Sequence, residues 1–322
     1  MAKTKNKIKL NSYETSRNQY GLVNWFKMSE QEVLDKFAAL PNAQKIGSGN
    51  KQFVYIPGTR SDKVLLVAHA DTVFKSEKVK IGFTSGVYHS VKDSAGIGAD
   101  DRAGCCMAWQ LKSLGHSILI PNAEEIGGVG SHFLMSQKEW VDIVNSHQFA
   151  LEMDRMNASD LACYDITTPE FESWICGQFP QYKKVNGIWT DVCVLCEDIC
   201  GFNISVGYYN QHTTKEVLVE SQWEYTLNNV RKMLSQENIP KFVLPKKPVH
   251  IHSASRRALP NLVEINDREI SLLIENLIMC PHNNCNGIFD YYEYLLNSNK
   301  CIFCNQEITN INNLRSKHAA SK

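Results

Sequence analysis

Residues 63–71 read KVLLVAHAD, an apolar run that never alternates and then breaks on a histidine and an aspartate. Side chains along a strand point to opposite faces in turn, so a strand with one wet face alternates apolar and polar residues. Val64 to Ala68 show no alternation, which predicts a strand covered on both faces, as at the middle of a parallel sheet. Upstream lie a shorter strand, QFVYIP (52–57), and a turn, PGTRSD (57–62). Downstream, a polar stretch leads to GIGADDRAGCCMAWQLKSLG (96–115), a turn opening a helix that Gly115 ends. HSILIPNAEE (116–125) is predicted as strand, GGVGSHFLMSQKEWVDIVNSH (127–147) as helical and QFALEMD (148–154) as strand. Helix is expected at DVCVLCEDIC (191–200), strand at NISVGYYN (203–210) and a long amphipathic helix at EVLVESQWEYTLNNVRKMLSQ (216–236). Strands alternating with helices give an α/β fold, a three-layer α/β/α sandwich around a mostly parallel central sheet.

Beyond Gln236 the composition shifts. NIPKFVLPKKPVHIHSASRRALPN (238–261) carries four prolines and several basic residues. The chain therefore divides into a flexible basic arm (1–20), the layered domain (21–238), a Pro-rich linker (239–264) and a C-terminal module (265–322). In that module NDREISLLIENLIM (266–279) is expected as a helix with Ile270, Leu273, Ile274 and Leu277 on one face. Lys plus Arg equals Asp plus Glu at 34 each, so no global charge draws the chain to nucleic acid or an anionic membrane. The first twenty residues hold no apolar run of a secretion signal, and no stretch approaches the roughly 18 apolar residues of a membrane span. A cytoplasmic protein is expected, its 11 cysteines reduced or metal-bound rather than paired in a disulfide framework.

Five short segments carry candidate chemistry, and four of them close predicted strands, where α/β sheets place their sites. They are His69-Ala70-Asp71, Asp100-Asp101, Glu124-Glu125, Asp154 and His212. A histidine can give one ring nitrogen to a metal while Asp71, or a backbone group, orients the other. Singly, each segment also has a structural reading: an edge histidine, an Asp turn or cap, a solvated Glu pair. Their succession along one sheet favours a shared site.

HADTV, GADDRAG, AEEIGG, the Asp of LEMD, and GYYNQHT…E resemble, in order, the five blocks of the zinc-dependent exopeptidase superfamily, which includes peptidase T, the aminoacylases and bacterial aminopeptidases. The resemblance covers roughly residues 52–235. It implies that Asp100 bridges two catalytic zinc ions. His69 and Asp154 would complete one site, Glu125 and His212 the other, with a cis peptide between Asp100 and Asp101. Glu124 would be the general base and Asp71 would orient His69. Nitrogen and carboxylate donors suit zinc, cobalt or manganese. A base beside a ligand can take the water's proton and pass it to the leaving amine. The expected function is a dinuclear-zinc aminopeptidase or exopeptidase acting on short peptides. The alternatives are an amidohydrolase of N-acyl amino acids or a modified metabolite, and a non-catalytic binding module.

The chain departs from many relatives in lacking room for a lid domain between Asp154 and His212. TTPEFESWICGQFPQYKKVNGIWTD (167–191) is expected as a small flap, whose Phe171, Trp174, Phe179, Tyr182 and Trp189 either line a substrate pocket or fill the local core. Asp191 resembles a pocket-lining position of the family. Tyr208 and Tyr209 either supply a phenol to an oxyanion or pack. Cys193, Cys196 and Cys200, at i, i+3 and i+7 of a predicted helix, read as core, as do Cys105 and Cys106. Cys280, Cys285, Cys301 and Cys304 form two close pairs with the spacing of a closed tetrahedral thiolate site, a small zinc ribbon with one structural zinc ion. Lys246, Lys247, Arg256, Arg257, Lys300 and Arg315 lie near it in sequence, a modest basic set through which the ribbon could meet nucleic acid or protein.

Overall fold

The computed structural model describes residues 20–74, 79–91 and 95–245, together with the backbone of two strands near the C-terminus. Two helices open it, α1 (Leu22–Phe26) and α2 (Glu30–Ala38). Ser29 starts α2 with a reciprocal cap: its hydroxyl accepts from the Glu32 backbone N–H, and the Glu32 carboxylate accepts from Ser29 N at 2.7 Å. A hairpin follows, β1 (Gln44–Ser48) and β2 (Lys51–Ile56), then β3 (Leu65–Val67). A second hairpin, β4 (Ile81–Thr84) and β5 (Val87–Ser90), precedes α3 (Ala99–Leu111), whose last turn closes at Gly115 in the left-handed region, φ 80°. Next come β6 (Ser117–Pro121), α4 (Val129–Met135), α5 (Lys138–Asn145) and β7 (Ala150–Arg155). β8 (Asp160–Cys163), α6 (Pro169–Gln178), β9 (Lys183–Asn186) and α7 (Asp191–Leu195) lead to β10 (Gly201–Ser205). The short strands β11 (Tyr208–Tyr209) and β12 (Val217–Val219) precede the long α8 (Glu220–Leu234).

The central sheet has the order β1-β2-β6-β3-β7-β10-β8-β9. Its four inner strands, β6, β3, β7 and β10, are parallel neighbours; β2 and β8 pair antiparallel to β6 and β10, and β9 runs parallel to β8. Side chains alternate between two separate cores. Leu66, Ile118, Ile120 and Leu151 join Phe26, Phe37, Met107, Phe171 and Leu227 on one face. Leu65, Val67, Leu119 and Ala150 join Leu134, Trp140, Val144 and Leu195 on the other. These are the three layers, with β3 buried at the middle. A smaller antiparallel sheet, β11-β12-β5-β4, stands beside them in topology.

Several expectations need correction. The polar stretch before α3 holds the hairpin β4–β5. NISVGYYN is not one strand: Gly207, at φ 88°, separates β10 in the central sheet from β11 in the small one. His212 therefore follows a strand of the second sheet, and Asp100 sits at the head of a helix, so the five segments do not all close strands of one sheet. The helix at 191–200 ends at Leu195 because Cys196 is extended, so Cys193, Cys196 and Cys200 share no helical face; Cys196 and Cys200 are nonetheless buried, as are Cys105 and Cys106. All seven described cysteines are free. Residues 167–191 form no flap: they build α6 and edge strand β9, and Phe171, Phe179 and Tyr182 fill the core. Trp174 packs on Phe149 and Phe242, at ring separations of 5.3 and 5.4 Å.

The chain separates into two compact units, residues 1–248 and 249–322. The opening of the Pro-rich segment belongs to the first: Phe242 O accepts from Cys200 N, and Ile239 is buried. In the second, β13 (Leu277–Met279) pairs antiparallel with β14 (Ile288–Asp290). Leu277 is thus in a strand, not on the predicted helix. Residues 1–19, Ile270, Leu273, Ile274 and the cysteines Cys280, Cys285, Cys301 and Cys304 lie outside the described residues. Among the described residues no helix is long and apolar enough to cross a membrane.

Candidate metal centre

The buried strand β3 delivers His69, itself 0% exposed, to the edge of the sheet. Arg102, buried in α3, fastens the turn beyond: its guanidinium donates to Ala70 O, to Asp71 O at 3.1 Å and to Met28 O at 3.2 Å. The backbone of His69 is held as well, its N–H on Asp101 Oδ2 at 3.2 Å and its carbonyl accepting from Cys105 Sγ. At the head of α3 the peptide between Asp100 and Asp101 is cis. Glu216, nearly fully buried, accepts from Gly98 N at 2.6 Å and Asp100 N at 3.0 Å. It thereby fixes the turn that aims Asp100. Gly104 must be glycine, since a Cβ there would collide with Met153 O and the Asp101 carboxylate.

The side chains converge on Asp100. Its Oδ1 is 3.1 Å from His69 Nε2, and its Oδ2 is 3.2 Å from His212 Nε2. Asp154 Oδ1 lies 3.6 Å from the same His69 nitrogen, and Glu125 Oε2 lies 2.8 Å from the His212 nitrogen. One carboxylate thus faces two imidazole and carboxylate sets, one oxygen to each. Asp71 ties the sets together. Its Oδ1 is 3.2 Å from His69 Nδ1, and its oxygens accept from Glu124 N at 3.0 Å and Glu125 N at 3.2 Å. Ala123, at φ 63°, turns the chain so that these two N–H groups face it. Both tyrosine hydroxyls are engaged: Tyr208 donates to Asp154 Oδ1 and Tyr209 to Gln222 Oε1.

Charge crowding dominates the site. Burial pushes the Asp154 carboxyl up to about 7 and Glu124 up to about 10, with neighbouring carboxylates adding to both. Burial likewise raises Glu125, Asp101 and Glu152. Burial also raises Asp100, but the two imidazoles outweigh it and hold that carboxyl below the usual range. Burial disfavours charge on His212 too, yet Asp100 and Glu125 hold it up to about 11. His69 is raised in the same way, against burial, by Asp154, Asp100 and Asp71.

This donor set fits divalent cations. His69, Asp101 and Asp154 offer atoms within 4.8 Å of one another, as do His69, Asp100 and Glu125. Asp101 already accepts from two backbone N–H groups, at Oδ2 from His69 and at Oδ1 from Gly104, which leaves Asp100 the freer member of the pair. Glu125 Oε1 is buried with no hydrogen-bond partner. Carboxyls outnumber imidazoles here, and buried carboxylates without a compensating cation cost several kcal/mol each.

The geometry brings His69, Asp71, Asp100, Glu124, Glu125, Asp154 and His212 together. Sequence reading gave no role to Arg102, Glu216 or Glu152. Arg102 was visible inside GADDRAG, but its three carbonyl partners lie far away in sequence. Glu216 closes the fifth block, and only the fold shows what it holds.

No family model matches the sequence, and no curated protein does. Solved structures do. The aminopeptidase PepT from Bacillus cereus ATCC 10987 superposes with a TM-score of 0.52 at 12% identity, over 67% of this chain and 96% of that one. A tripeptidase from Staphylococcus aureus subsp. aureus mu50 gives 0.50 at 12% identity, over 66% of this chain and 96% of that one. At such identity the likeness is one of fold, and the fold is that of these two peptidases.

Proposed function

We propose that the protein is a dinuclear-metal hydrolase of amide bonds, an aminopeptidase acting on short peptides. The observation that carries this reading is Asp100, which turns one oxygen to the His69 and Asp154 set and the other to the His212 and Glu125 set. In the proposal His69, Asp100 and Asp154 hold one ion and Asp100, Glu125 and His212 the other, zinc, cobalt and manganese being metals that this donor set suits. Bound there, the two ions would polarise the scissile carbonyl and make a water acidic. The chain does the rest. Asp71 fixes the ring of His69 and, through two backbone N–H groups, the turn bearing Glu124. Glu124 enters neither imidazole pair, so its carboxylate is available to take the water's proton and hand it to the departing amine. The fold of the PepT and tripeptidase structures supports the same reading.

The test is the zinc-loaded full chain, assayed on leucine anilide, di- and tripeptides and N-acyl amino acids. Glu124→Gln is expected to lower kcat by about 10²–10⁴-fold, the usual contribution of a general base, with metal content unchanged. Full turnover in that variant would overturn the proposal. Metal analysis is expected to find the centre's two ions and a further zinc, which Cys280, Cys285, Cys301 and Cys304 would hold.

A further inference from the structure

Asp191 opens α7 beside the centre and is 0% exposed, yet neither of its oxygens has a hydrogen-bond partner. Buried polar atoms are nearly always paired, and an unpaired buried carboxylate is costly. Burial raises this carboxyl to about 6, although the Ser131 hydroxyl is near enough to draw it down without reaching bonding geometry. Glu152, also 0% exposed, has an unpartnered oxygen of its own, and Asp191 helps to raise its carboxyl. Asp191 belongs to neither group of side chains able to hold a metal ion. Among the described residues its carboxylate is left buried without a paired counter-charge or a hydrogen-bond donor.

The position of Asp191 says what would pair with it. A Cβ added to Gly128 would stand 3.3 Å from Asp191 Oδ1 and 2.7 Å from the edge of the Trp189 ring. Gly128 belongs to the turn of the proposed base, its N–H bonded to Glu124 O at 3.0 Å. On the other side, Thr190 Oγ1 donates to Asp154 Oδ2 at 3.4 Å. Asp191 thus adjoins the turn that carries Glu124 and, through its chain neighbour Thr190, the ligand candidate Asp154. The neighbouring surface is apolar and open: Trp189 is 41% exposed, Ile126 63% and Ile188 91%. Exposed apolar side chains gathered at a catalytic rim mark a binding surface.

We propose that Asp191 receives the free α-ammonium group of the substrate's first residue, while Trp189 and Ile126 flank that residue's apolar side chain. This rests on the hydrolase reading and supplies its end preference. Trp189 swings aside to admit the amine. The missing side chain at Gly128 is what lets the Trp189 ring lie over this approach. An acylated terminus brings no positive charge and leaves the carboxylate buried and unpaired, the kind of mismatch that polar sites reject strongly.

Calorimetric titration of the zinc-loaded chain with L-leucinol and with N-acetyl-L-leucinol tests this without turnover. The free amine is expected to bind at least tenfold tighter. Asp191→Asn is expected to abolish that preference while leaving metal content and N-acetyl binding unchanged. Gly128→Ala, which places a methyl group against Asp191 Oδ1 and the Trp189 ring, is expected to weaken amine binding more than N-acetyl binding and serves if the first variant does not fold. Equal binding of the two alcohols by the unmodified chain overturns the proposal, as does an amine preference that survives in Asp191→Asn. An amine preference without any peptide hydrolysis leaves this site standing and removes the hydrolase reading; hydrolysis without the preference does the reverse.

Discussion

His69 and His212 face the same carboxylate from different ground. His69 follows the central strand of the sheet, has no exposed surface, and is held through its backbone and both ring nitrogens. His212 stands on the loop between β11 and β12, in the left-handed region at φ 59°, with half of its side chain in solvent. Its loop is closed by bonds among its own residues, such as Thr213 Oγ1 to Asn210 O at 2.7 Å. One half of the centre is thus part of the framework, and the other is assembled on a surface loop. Losing a ligand from the first should damage the fold, while losing one from the second should damage only binding.

Two alanine variants put this contrast at greatest risk. His69→Ala leaves Asp154 buried without its imidazole and Asp100 with His212 alone, and breaking a buried pair in this way costs about 3–5 kcal/mol. His212→Ala removes a half-exposed partner whose place water can partly take, so a smaller loss than at His69 is expected. Urea unfolding of both metal-free proteins measures the difference, and metal counts should fall in both. Equal stability losses would show that the two halves are not different in kind.

The same contrast governs what the sequence disclosed. β3 was legible because Val64 to Ala68 are covered on both faces, and that demand excludes polar residues. β4 and β9 were not, because IGFT is only four residues long and half-buried, and KKVN is short and largely exposed, so neither carries a strong apolar pattern. The ligands could be found because metal chemistry restricts them to a few residue types at strand and helix ends. Their supports could not. Arg102 acts through carbonyl groups of any residue, Glu216 through two backbone N–H groups, and Asp191 through the absence of a partner. Those relations exist only once α3, the loop after β11 and α7 have been folded against the strand ends.

Asp71 is where the two halves join, so it can show whether they are coupled. It orients His69 and also holds the N–H groups of Glu124 and Glu125, the latter belonging to the His212 set. Asp71→Asn should weaken metal affinity about 10–100-fold, the usual cost of losing a ligand's orienting partner. Competition with a chelator should show both ions affected. If only the ion nearer His69 is weakened, the turn does not need Asp71 and the halves are independent.

The smallest effect expected is at Tyr208, buried where the small sheet meets the framework half. Its hydroxyl donates to Asp154 O at 2.9 Å and to Asp154 Oδ1 at 3.1 Å, so it braces a proposed ligand. Tyr208→Phe removes that donor while keeping the ring, and a hydrogen bond of this kind contributes about 1 kcal/mol. Metal affinity should therefore fall only a few-fold, with kcat nearly unchanged once the metal is saturating. A tyrosine serving the developing oxyanion would behave in the opposite way, lowering kcat and sparing metal affinity. Measuring the two quantities on one preparation decides whether Tyr208 belongs to the framework or to the chemistry. Its bonds to Asp154 place it with the framework.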